Sequence, residues 1–473
     1  MRRDAATVSA KARANAITVA TVAIALLFSP GARAQPAQGP TADEVEAPSL
    51  PPVAVQGAPA PDDPAEIDAG NDSAGYTPAE GAAGAQALNV NGYVDVGFAR
   101  AEGNGTSFAA GDSRFPADYG ADTFAPAVNS RGDVASTDAG GRFVNGFLPR
   151  SAGTGGRASF LLNTLSVDLR YQDASAPVMI FSRFQLLPRL GGNGDATRVL
   201  VEQAFGRVAP LDSVELTLAV GKFDSVFGIE YLDNQANVRT GVTPSLSARY
   251  TTGPSIGAKV FFRQQIGPLW SALSINAAAT NGGTMVESLQ PADASLTGGP
   301  VLSARLGYEL NLRVVQVKLG GSGLRGPRND QHDRDALQRI WGVDARVFVA
   351  GIALSGEYVH VAEDEGRGPK TTALGTFPLA SGFQARATWV QLAYALAVDA
   401  GPLRRVTPFG RYEYRHAWFQ GFTPISVDRI TAGLRADLWD VLIVKGEVLV
   451  NREREGAPDV PNNVYTSSVV YQW

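Results

Sequence analysis

Residues able to handle ions recur at every second position within segments that are otherwise apolar. Examples are Arg305 and Glu309; Arg411, Glu413 and Arg415; and Arg429, Arg435 and Asp437. That spacing is the period of a β-strand, whose successive side chains point to opposite faces. A strand so built offers charge to one side and hydrocarbon to the other. Rows of fixed charge can steer ions, or they can pair with one another across a sheet. The charged-face candidates are Arg170, Arg183, Glu202, Lys222, Lys259, Arg305, Glu309, Lys318, Arg346, Arg411, Glu413, Arg429, Arg435 and Lys445, joined by others such as Arg386, Asp168, Glu357 and Glu447. Basic groups slightly outnumber acids in this set, which gives an expectation of a mild preference for anions. Close alternation of sign, as at Arg411, Glu413 and Arg415, favours structural ladders over a selecting row.

Catalytic chemistry has little to work with. There is no cysteine, so disulfides, thiolates and Cys-based metal sites are excluded. The imidazoles are those of His332, His360 and His416. His332 lies beside Asp333 and Asp335 in a polar stretch that reads as a solvated turn. A Ser–His pair on neighbouring strand ends would be needed for hydrolysis, and no nucleophile motif accompanies His360 or His416. Arg131-Gly132-Asp133 spells an adhesion-type tripeptide that arises often by chance. No catalytic, cofactor or metal site is assigned, and the chain reads as a non-enzyme.

Targeting comes before any fold. Arg2, Arg3, Lys11 and Arg13 precede an uncharged run from Ala16 to Phe28, and Ala32-Arg33-Ala34 has the small-x-small form of a cleavage site. The run is shorter than the roughly 20 residues of a spanning helix and fits the apolar region of a signal peptide. Residues 1–34 are therefore expected to be a signal peptide. Residues 35–86 hold nine acids and no Lys or Arg amid Ala, Pro and Gly. They are expected to form a disordered periplasmic linker, because they cannot bury enough apolar surface to offset chain entropy. Removing the five bases and one acid of 1–34 from totals of 41 and 46 leaves 36 and 45, and removing the linker's nine acids leaves 36 of each sign over 87–473. That balance argues against a nucleic-acid surface, which needs a clustered basic excess.

From Asn89 onward two-faced segments dominate, with centres near 94, 166, 182, 203, 218, 259, 274, 306, 318, 345, 356, 390, 411, 432, 446 and 468. The connections alternate between long, as over 101–155 and 224–254, and short, as at Ala350-Gly351 and Trp439-Asp440. Long loops on one side and tight turns on the other are the topology of outer-membrane barrels, and their strand number is even. The chain closes on a strand ending Tyr471-Gln472-Trp473, similar to the aromatic terminal signal of such barrels. The expected fold is all-β: an antiparallel transmembrane β-barrel over 87–473 with about 16 strands, 14–18 being allowed because 224–254 could hide a hairpin. Charged faces then look into a lumen, since Lys or Arg against lipid costs about 2–4 kcal/mol near the midplane. Sixteen strands enclose more space than side chains fill, so the lumen holds water. Loop 224–254, with Asp224, Glu230, Asp233, Arg239 and Arg249, is the candidate constriction, set against an ordinary surface loop.

Three motifs carry a resemblance: Gly92-Tyr93-Val94-Asp95, Val201-Glu202-Gln203-Ala204-Phe205, and the run Val220-Gly221-Lys222-Phe223-Asp224 continuing through Phe227-Gly228-Ile229-Glu230. They resemble the OmpL-like β-barrel porin-2 family, best over 89–310, and phosphate-selective porins O and P are similar in texture. The resemblance implies a pore of the bacterial outer membrane for passive diffusion of small hydrophilic solutes or ions. It also implies surrounding lipid and lipopolysaccharide, insertion by the barrel-assembly machinery, and either a monomer or a homotrimer. A surface adhesion barrel with a plugged lumen is the alternative.

Overall fold

The computed structural model describes residues 87–101, 158–172, 177–187, 198–210, 215–224, 226–233, 235–251, 254–266, 271–281, 300–312, 314–327, 337–364, 370–372, 375–377, 382–419, 424–454 and 463–473. The expected signal peptide, the acidic linker, most of the first long connection with Arg131-Gly132-Asp133, and His332 lie outside the described residues.

Among the described residues, sixteen strands pair antiparallel with their neighbours in chain order. They are β1 (Ala87–Ala101), β2 (Ala158–Gln172), β3 (Val178–Leu187), β4 (Arg198–Val208), β5 (Glu215–Asp224), β6 (Pro254–Gln265), β7 (Ser271–Thr280) and β8 (Val301–Leu312). Then follow β9 (Val315–Pro327), β10 (Leu337–Val349), β11 (Ile352–Glu363), β12 (Phe383–Tyr394, continued by Leu396–Ala400), β13 (Leu403–Phe419), β14 (Ile425–Leu438), β15 (Leu442–Arg454) and β16 (Val464–Gln472). Between β11 and β12, Lys370–Thr372 pairs with Gly375–Phe377 in a small separate hairpin. The ring closes where β1 takes β16 on one side, Tyr93 opposite Gln472, and β2 on the other, Tyr93 opposite Ser166. Every expected centre falls inside a strand, and 224–254 adds no further hairpin.

Alternation assigns the faces. Val96, Leu162, Ile180, Val201, Leu218, Val220, Ile275, Leu306, Leu354, Leu392, Ile430 and Val469 are all exposed, around the whole circumference. Residues of the opposite parity on the same strands, among them Asp95, Arg183, Thr217, Asn276, Glu357, Arg429 and Ser468, are buried. A polar inside and an apolar outside invert the soluble pattern. Only a closed sheet satisfies its backbone in hydrocarbon, so this is a transmembrane β-barrel. The short connections are tight: Ala350 and Gly351 both take positive φ (48° and 83°), the twist that suits a two-residue hairpin.

Candidate functional site

The segment between β5 and β6 does not lie on the surface. It passes through a 3-10 turn at Glu230–Asp233 and a single helical turn at Ala248–Thr251, and it docks inside the barrel. Apolar contact supplies one part of the attachment: Phe227, Leu246 and Tyr250 cluster with the inward Val301, Leu324, Ile340, Val359, Val361 and Val427 of the wall. At roughly 25 cal/mol per Å² of apolar area removed from water, such a cluster favours docking strongly.

Wall charges supply the rest, and they bind the loop's backbone. Glu447 accepts from the amides of Val242 and Thr243, both at 2.8 Å, and from the Thr243 hydroxyl at 2.6 Å. Glu413 accepts from the Leu246 amide (2.7 Å), from Arg411 Nε (2.6 Å) and from Arg429 Nη2 (2.5 Å). Arg411 and Arg429 then donate to the carbonyl oxygens of Thr243 (2.9 Å) and Pro244 (2.7 Å). The Lys445 ammonium donates to the carbonyls of Ala236, Arg239 (2.8 Å) and Gly241 (3.1 Å). Arg435 donates to those of Val238 and Arg239. One loop carboxylate meets a wall cation directly, Asp233 with Arg346 at 2.6 Å.

These contacts refine the expected residues. Arg411, Glu413, Arg429 and Lys445 point inward as the alternation requires. All four are buried, with Glu413 and Arg429 at 0 % exposure, so they anchor the loop and do not border water. Glu230 pairs within the loop, accepting from the Ser245 amide at 2.6 Å and from its hydroxyl. Burial pushes the Glu230 carboxyl above its ordinary range, and Arg411 opposes that rise. Asp224, at the end of β5, accepts from Gln203 Nε2 at 2.6 Å, and Arg239 is buried. The side chain of Arg249 lies outside the described residues.

Elsewhere the inward charges keep partial exposure, as Arg170, Lys259, Arg305 and Glu309 do, and Arg435 keeps some beside the loop. Several form ladders. Arg183 grips Asp168 with two bonds of 2.7 Å. Arg263 bridges Glu215 (3.1 Å) and Glu309 (2.8 Å). Arg305 reaches across β9 to Asp344 at 2.6 Å, passing over Gly320, where a Cβ would sit 2.5 Å from both partners. Lys259 stands 5.8 Å and 5.2 Å from the ring centres of Phe205 and Phe223. Glu202 is buried in β4 at the point where its register with β3 shifts, and Lys318 is buried beside Arg346, opposite it in the register.

Lys222 corrects the expectation. It pairs opposite Ala204 and the exposed Ile256, on the face of Leu218 and Val220, and its ammonium donates to the Val201 carbonyl at 2.7 Å. It looks outward. The alternation starting at Leu216 already carried that answer. Arg386 likewise faces outward, with its guanidinium 5.9 Å from the Trp418 ring centre. A Ser–His pair does occur on adjacent strands, with His416 Nδ1 2.6 Å from Ser426 Oγ, but Ser426 is fully buried and offers a substrate nothing.

The fold and site together define a transmembrane β-barrel with an internal loop held against one side of its wall. No protein-family profile matches the chain, and no curated relative matches it. Among solved structures it is similar to DcaP, an outer membrane channel of Acinetobacter baumannii, at 12 % identity and TM-score 0.48 over 82 % of this chain and 97 % of that one. It is also similar to an anion-selective porin from Comamonas acidovorans at 10 % identity and TM-score 0.45, over 82 % of this chain and 100 % of that one. A loop-deletion mutant of OmpT, an outer membrane protein of Vibrio cholerae, aligns at 12 % identity and TM-score 0.45 with the same coverages.

Proposed function

We propose that the protein is a porin of a bacterial outer membrane, forming a water-filled passage for passive diffusion of small hydrophilic solutes or ions. The observation that carries this reading is the division of the lumen. One side of the wall is sealed by the docked loop, while charged inward side chains elsewhere, Lys259, Arg263, Arg305 and Glu309 among them, stay partly exposed. A wall of sixteen strands encloses more space than its side chains fill, and charge in that space calls for water. The loop narrows the passage and sets fixed charge close to whatever crosses it. Cations on the partly exposed wall give the passage a mild preference for anions.

Purified full-length protein in a planar lipid bilayer tests this reading. Stepwise openings in simple salt are expected, with reversal potentials in a salt gradient on the anion side. A silent, sealed barrel would overturn the passage and leave the adhesion reading. Cation preference would overturn the selectivity alone.

A further inference from the structure

One row of outward residues does not belong against hydrocarbon. Near the end of the barrel that carries the long connections, the cross-strand register lines up Trp341, His360, Arg386, His416, Ser426 and Arg454 on β10 to β15. Adjacent strands are about 5 Å apart, so His360, Arg386 and His416 stand side by side. Trp341 stacks on His360 with ring centres 5.6 Å apart, and Trp418 lies 5.0 Å from His416. Arg454 pairs with Asp428, and in the row closer to the rim Arg339 pairs with Asp364 at 3.1 Å. Arg386 is exposed and makes no ion pair among the described residues. Toward the middle of the barrel the same face turns apolar, with Val343, Val390, Leu392 and Ile430 exposed.

The rest of the circumference differs at this depth. There β2, β3, β4, β6 and β8 present Leu162, Phe184, Val199, Ile256 and Leu302 outward, and cations stand singly on their strands: Lys222 of β5, Arg325 of β9 opposite Leu302 and, nearer the rim, Arg100 of β1. Aromatic rings at a barrel rim mark the level of lipid headgroups. Guanidinium and imidazole N–H groups at that level, framed by Trp, form a donor set for phosphate oxygens.

We propose that the outward row His360–Arg386–His416–Arg454 binds the phosphate groups of an anionic lipid in the outer leaflet, as a docking site confined to β10–β15. In an outer membrane that lipid is the phosphorylated glycolipid of the outer surface. The proposal rests on the outer-membrane reading above but not on the lumen conducting.

Full-length protein in detergent micelles, incubated with diphosphorylated lipid A or with the same lipid stripped of its phosphates, is the test, with retained lipid read by native mass spectrometry. The wild type is expected to retain the phosphorylated lipid preferentially. Arg386→Gln is expected to lower retention about fivefold, the effect of one cation at an anionic surface. Arg386→Gln combined with His416→Gln lowers it further, while Arg386→Lys and the distant Lys222→Gln stay near wild type. Equal retention of the dephosphorylated lipid would overturn the proposal, as would displacement by millimolar inorganic phosphate. Variants that change oligomeric state and leave lipid retention intact would also overturn it, assigning the row to contact between copies. Heat-modifiable gel mobility verifies folding of each variant, and bilayer conductance, measured separately, tells failure here from failure of the passage.

Discussion

The two sides of the lumen use the same residue types for different ends. On β13–β15, Arg411, Glu413, Arg429, Lys445 and Glu447 are buried, and their partners are largely amides and carbonyls of the loop. On β2–β8, Arg183, Arg263 and Arg305 find carboxylates on nearby strands, and most of these groups stay in contact with water. Burying a charge is tolerable only when its bonding capacity is filled. Peptide dipoles can fill it as well as an opposite charge can, and they come from any loop sequence. The contrast teaches that a charged wall is ambiguous: it becomes an anchor or a passage according to what backbone is laid over it.

Four variants would break or sharpen that contrast. The largest effect is expected for Arg429→Ala, which leaves Glu413 buried with a lost partner. A destabilisation of about 3–5 kcal/mol is expected, read as a lower temperature for loss of folded gel mobility. An equal cost at the half-exposed Arg263 would erase the difference between the two sides. Next, Glu447→Ala strands the amides of Val242 and Thr243, at about 1–3 kcal/mol. Larger and noisier single-channel currents should accompany it as the loop loosens. Third, Lys259→Gln with Arg263→Gln should move the reversal potential toward cations while altering stability by only about 0–1 kcal/mol. The smallest effect belongs to Lys222→Gln, which should leave the reversal potential unchanged because the side chain lies outside the lumen. A shift there would place it inside after all.

Strand positions were legible because lipid and water on opposite faces impose a strict period of two over long segments. The alternation from Leu302 to Leu310 and from Ile430 to Leu438 can be read directly, and both segments lie as expected. Charge alone misplaces Lys222: its type groups it with the polar face, although it shares the outward parity of Leu218 and Val220. The docking of the loop was harder to foresee. Asp233 and Arg346 could be matched by sign, but the carbonyls that receive Lys445 and Arg435 leave no trace in residue type. Inward Val359 and Val361 were the missed clue, since apolar side chains facing a watery lumen need a cover.

The seam between the first and last strands carries a further consequence. Gly92 and Trp473 exchange backbone hydrogen bonds of 3.2 and 3.1 Å, so Trp473 helps close the ring. A polypeptide lacking β16 would expose two raw margins to hydrocarbon, which has nothing to offer them. Loss of β16 should therefore behave as a complete loss, and a working half of this molecule cannot exist.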